Sequence, residues 1–121
     1  MNVRTKSRVE SVFGAVDAMD TAKVLSFLTN ECEFRAGSGP SAVGAAAIRD
    51  ALNGFFSGLT AVRHEALEIW EHPGAVIIQG EAAYTRTDRR VIKIPFVDVW
   101  RIPDDKIHSY LIYADFGPLG A

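Results

Sequence analysis

With 121 residues, 48 % hydrophobic and 23 % charged, the chain is sized for one globular domain spanning 1–121, and two independent cores are excluded. Thirteen basic against fifteen acidic side chains give a net charge of −2, the wrong sign for a protein that binds nucleic acid by neutralising phosphates. Cys32 is the single cysteine, so no internal disulfide forms, and with no long apolar run or secretory leader a reduced, cytoplasmic, membrane-free setting is expected.

Along the chain, Val9, Val12, Phe13 and Val16 recur at helical spacing and predict a first helix. Asp20 is placed to cap a second one carrying Val24, Leu25 and Leu28. Residues 31–35 read as a short strand that holds Cys32 as a packing residue, and 36–41 as a loop rich in glycine, serine and proline. A third helix follows, with Ile48, Leu52, Phe55, Phe56 and Leu59 as its apolar stripe and Gly58 near its end. Beyond Thr60, four stretches of strand composition are separated by turns at 72–74, 87–90 and 103–105, short enough for successive antiparallel pairing. Pro95 is expected at an edge or bulge because it lacks a ladder donor. Arg89, Arg90 and Lys93 read as the solvated end of a hairpin. The expected class is α+β, with helices covering one face of a curved sheet and enclosing a central space.

The most telling residue is Asp98. Period-two alternation over 91–102 puts Ile92, Ile94, Phe96, Asp98, Trp100 and Ile102 on one face, a single carboxyl among apolar neighbours. Such a group must find a hydrogen-bond partner, take up a proton, or border a cavity holding water or ligand. The odd positions of the strand over 75–85 present Gln79 and Glu81, and the even positions of the last strand present His108, Tyr110 and Ile112. If these share the face of Asp98, they form a mixed pocket with Trp100, Phe96 and, from the first helix, Phe13. Two carboxyls in a partly apolar pocket, here Asp98 and Glu81, can divide the work, one serving as acid and the other as base. The alternative leaves Glu81 in water and Tyr110 in the core. His64, His72 and His108 have no spacing that assembles a metal site, although His64 is able to face inward with Trp70. No glycine-rich nucleotide loop or serine-hydrolase elbow is present, so neither metal nor cofactor is expected.

The element order, together with AIRD at 47–50, YTRTD at 84–88, FVDVWRI at 96–102, KI at 106–107 and IYADFGPL at 112–119, resembles the nuclear transport factor 2-like superfamily, in its SnoaL-like polyketide cyclase group. The resemblance implies a cone-shaped curved antiparallel sheet wrapped by three N-terminal helices around a hydrophobic pocket. It also implies a homodimer through the outer sheet face, where Val97 and Val99 would lie. Asp98 is similar in position to the protonated Asp in the oxyanion hole of ketosteroid isomerases, in an Asp-x-aromatic-Arg context. The isomerase Tyr and general-base Asp would fall near Val12 and near Arg35 or Ala36, so that familiar activity is not implied. The Arg and Asp of limonene epoxide hydrolase would fall on Gln79 and Glu81. Its water-activating Asp, like the catalytic Asp of SnoaL-type cyclases, would fall on Ile112, which moves no proton. Asp115 points to the opposite face. The expected function is a cofactor-independent acid–base enzyme of isomerase, cyclase or hydrolase type on a small apolar carbonyl, polyketide-like or epoxide substrate. Asp98 and Glu81 would carry the chemistry, with Gln79, Tyr110, Trp100, Phe96, His108, Ile112 and Phe13 around the substrate. The alternative is a non-catalytic small-ligand-binding or dimerisation domain of the same fold.

Overall fold

Asn2 caps the first helix by accepting the Thr5 backbone N–H on its side-chain oxygen, and α1 runs over Val3–Asp17 in the computed structural model, which describes residues 2–120. Its buried stripe is Thr5, Val9, Val12, Phe13 and Ala15. Asp20 caps α2 (Thr21–Ser26) through the Lys23 N–H, as its position predicts. That helix stops short of Leu28, which already belongs to β1 (Leu28–Ala36), because the Phe27 carbonyl accepts the Ile107 N–H and draws the chain into the sheet. A two-residue β2 (Ala42–Val43) and α3 (Ala45–Phe56) follow. Leu59, expected on the helix, opens β3 (Leu59–His72) just past Gly58. The remaining elements are β4 (Ala75–Arg86), β5 (Val91–Arg101), β6 (Ile107–Tyr113) and a single turn of helix, α4 (Gly117–Gly120).

The six strands lie in the order β2-β1-β6-β5-β4-β3. Strands β3 to β6 form the expected antiparallel meander, and β1 returns to pair in parallel with β6, setting Phe34 beside Tyr110 and Ala36 beside Ile112. The end strands β2 and β3 do not meet, so the sheet curves without closing. Register shifts in β3 mark where it bends, at Leu59/Ala61 and Ala66/Glu68. At the second bend, Gly80 of β4 faces Ala66, and a Cβ there would overlap the Glu65 carbonyl oxygen and come within 2.9 Å of Phe96 Cζ. Pro95 lies in β5 beyond the stretch paired with β6, which begins at Val97, so on that side the strand is locally an edge.

Face assignment follows from the β4–β5 hairpin. The Arg86 N–H bonds to the Arg90 carbonyl across a three-residue loop in which Arg89 adopts a positive φ of 71°. Even positions therefore face even positions, with Ile78 beside Asp98 and Ala82 beside Ile94. The buried inner set of β4 is Val76, Ile78, Ala82 and Tyr84, with Gly80 between them. Gln79 and Glu81 stand on the outer face instead, Glu81 between Glu65 and Pro95, and this corrects the expectation that they share a pocket with Asp98. His108 is also outside: it is exposed, and its Nδ1 lies 2.9 Å from Thr29 Oγ1. The cause is an irregularity where β6 meets β1, which buries both Ile107 and Tyr110 although they lie three apart.

Candidate functional site

Asp98 lies inside, 2 % exposed, between Ile78 on β4 and Ile112 on β6 and between Phe96 and Trp100 along its own strand. Trp100 Nε1 donates to Oδ2 at 3.3 Å, and the Tyr110 hydroxyl is hydrogen-bonded to the same carboxyl. Burial pushes Asp98 up to about 8, against these two bonds, which pull it down. At neutral pH the group is therefore mainly a neutral acid. Burial, and then the charge of Asp98, also raises Tyr110 and Tyr84, so both phenols keep their protons. A protonated Asp98 can donate to the Tyr110 oxygen while Tyr110 donates onward, a chain in which each bond polarises the next.

Tyr110 also lines a cavity of about 250 Å³ between the sheet and the helices. The walls are mostly apolar: Val16 from α1, Val24 from α2, Leu52, Phe55 and Phe56 from α3, Phe34 from β1, Ile112 from β6 and Phe116 beyond it. Phe55, Tyr84 and Phe116 meet edge to face at 5.5–6.1 Å, and Phe34 tilts against Tyr110 at 5.3 Å. The exposed lining residues Gly39, Pro40 and Ala51 mark where the cavity meets solvent. Its polar side chains are His64, Tyr84 and Tyr110. Of the residues expected around a substrate, Tyr110 and Ile112 line the space, whereas Phe13, Phe96, Trp100 and Asp98 form the layer behind it.

His64 is the group that the sequence pattern underrated. It occupies an inner position of β3 opposite Ala82, while Trp70 turns to the outer face beside Ile77 and is 46 % exposed. Its Nδ1 lies 2.7 Å from Oδ1 of Asp17, the last residue of α1, and both Asp17 oxygens accept the His64 backbone N–H at 3.1 Å. The signal available was spacing: Asp17 follows Phe13 by four and so continues the buried face of α1. Phe13 stacks on the imidazole at 4.7 Å and 25°. Among the described residues, no group of three or more side chains is arranged to hold a metal ion, and no helix is long and apolar enough to cross a membrane. Burial raises Cys32 to about 11, with the charge of Glu33 adding to it, so the thiol stays protonated and packs.

An unclosed curved sheet, helices across its concave face and a cavity between them define the class: the chain belongs to the SnoaL-like domain family, matched over residues 9–110, with the nuclear transport factor 2-like fold. A structure of a nuclear transport factor 2-like protein of unknown function from Burkholderia pseudomallei is similar at 16 % identity and a TM-score of 0.86, covering 98 % of this chain and 95 % of that one. SalBIII, an epoxide hydrolase/cyclase-like enzyme of pyran ring formation in the polyether salinomycin, is similar at 22 % identity and 0.80, covering 93 % and 91 %. TerC, crystallised with polyporic acid, is similar at 19 % identity and 0.82, covering 95 % and 94 %. No curated protein matches the sequence.

Proposed function

We propose that this chain is a cofactor-independent acid–base enzyme, of isomerase, cyclase or hydrolase type, acting on a small and mostly apolar carbonyl, polyketide-like or epoxide substrate. The observation that carries the reading is a buried Asp98 hydrogen-bonded to a tyrosine on the cavity wall. A substrate oxygen accepts from Tyr110, Asp98 donates to Tyr110, and both bonds strengthen as negative charge develops on that oxygen. The volume of about 250 Å³ is below the roughly 300–1,000 Å³ of drug-sized sites, which favours a molecule of one or two rings. Pyran ring formation by SalBIII, an epoxide hydrolase/cyclase-like enzyme of similar fold, supports a reaction of hydrolase or cyclase type.

Binding of 4-nitrophenol, a single ring bearing an acidic oxygen, tests this reading. The parent protein is expected to bind it, and Tyr110→Phe to weaken binding about tenfold by removing one hydrogen bond to an ionised oxygen. Equal affinity for the two proteins, or no binding by the parent, rejects the oxygen-binding role. On a verified substrate, Asp98→Asn is expected to lower kcat with the fold intact.

The outer sheet face favours a homodimer. Trp70, Ile77, Val99, Leu111 and Arg35 form one row across five strands, and the Arg35 Nε is buried with no hydrogen-bond partner among the described residues. Tyr113, 50 % exposed, lies beside Val97. Sedimentation equilibrium is expected to give twice the chain mass of 13.2 kDa, and Val99→Lys to return it to one chain mass. A parent protein that sediments as a monomer at high concentration would remove the dimer from consideration.

A further inference from the structure

We infer that His64, held by Asp17, is the base of this site and takes a proton from a carbon of the bound ligand, one next to an electron-withdrawing group. The inference rests on the proposed acid–base reading and supplies the partner that Glu81, on the outer face, does not. The Nδ1 contact with Asp17 at 2.7 Å fixes the proton of a neutral ring on Nδ1 and leaves the Nε2 lone pair as the acceptor. Among the described residues, no hydrogen bond to Nε2 is formed, and His64 lines the cavity. Phe13 on its face and the Phe96 ring tilted against it at 5.4 Å fix the plane of the imidazole. The three bonds accepted by Asp17 tie the carboxylate to both the ring and the backbone of the same residue, so Asp17 is a positioning residue. A simple tie between α1 and β3 would not require the ring to reach the cavity.

The chemistry balances without a co-reactant. The ligand C–H bond breaks, its proton goes to Nε2, and its electron pair moves toward the ligand oxygen, where Tyr110 donates. Returning the proton to another atom of the ligand restores the neutral imidazole.

The test uses 5-nitrobenzisoxazole, a flat two-ring carbon acid. Removing its ring C–H proton breaks the N–O bond in the same step and yields a nitrile and a coloured phenolate. The parent protein is expected to catalyse this with saturation, and His64→Gln to lower kcat at least about a hundredfold while 4-nitrophenol affinity stays within about twofold. Asp17→Asn is expected to lower kcat about tenfold or more with KM little changed, because the ring loses its fixed tautomer, whereas Glu81→Gln leaves the rate unchanged. If 4-nitrophenol binds but His64→Gln turns over like the parent, or the parent is no faster than free imidazole, the role of His64 is overturned and the cavity reading survives. If 4-nitrophenol does not bind, the underlying reading falls as well. Should His64→Gln fail to fold, Asp17→Asn decides, and an unchanged kcat overturns the inference.

Discussion

Above pH 8, Asp98→Asn is expected to unfold at a higher denaturant concentration than the parent protein, whereas near pH 5 the two differ much less. The unfolded chain releases the Asp98 proton near its ordinary value of about 3.9. The folded protein holds it up to about 8, because the carboxyl is buried. Below the lower value both states are protonated and the stability contributed by the neutral acid is fully present. Between the two, the unfolded state ionises and the folded state does not, so parent stability falls by about 1.4 kcal/mol per pH unit. The loss is complete once pH passes the folded value, and asparagine, which does not titrate, escapes it. Urea unfolding of both proteins across this range measures the effect as a difference, which cancels contributions from the other ionisable groups. Parallel stability curves for the two proteins would show that Asp98 is charged in the folded state, and the neutral-acid mechanism would fail with it.

The second large effect is expected at Gly80. Gly80→Ala places a methyl group against the Glu65 carbonyl oxygen, which belongs to backbone, and within 2.9 Å of Phe96 Cζ. Phe96 is 5 % exposed and packed edge-on against Phe13 and His64, so it has little room to retreat. The β3 bend must therefore open, at a cost of about 3 kcal/mol or more. Thermal unfolding measures this directly, and a Tm within a few degrees of the parent would show that the bend relaxes freely. Because β3 carries His64, any Gly80→Ala protein that still folds is also expected to turn over 5-nitrobenzisoxazole more slowly.

The order of the elements and the inward aim of Asp98 were legible because both depend on local pattern: helical spacing in α1 and α3, turn residues at 72–74 and 87–90, and unbroken alternation along β5. What depended on register was not. Gln79 and Glu81 alternate as cleanly as Ile78 and Ala82, and only the loop geometry around Arg89 decides which set faces inward. His108 was misplaced because alternation fails where β6 meets β1, an irregularity that involves chain about 80 residues away. The pairing of β1 with β6 and the meeting of Asp17 with His64 are likewise long-range, since 47 residues separate the two groups of that pair. Leu59 was read into the helix because a buried leucine fits the end of an apolar stripe as well as the start of a strand.

The cavity draws its two kinds of lining from different parts of the chain. His64, Tyr84 and Tyr110 stand on strands β3, β4 and β6, which are bound into the sheet, whereas the solvent-facing lining comes from the loop around Gly39 and Pro40 and from Ala51 on α3. Insertions or exchanges at that rim can alter which molecules are admitted while leaving the proton-handling groups where they stand. Selectivity and reactivity are thus able to diverge separately, and variants at 38–41 are the natural place to broaden or narrow the range of compounds accepted.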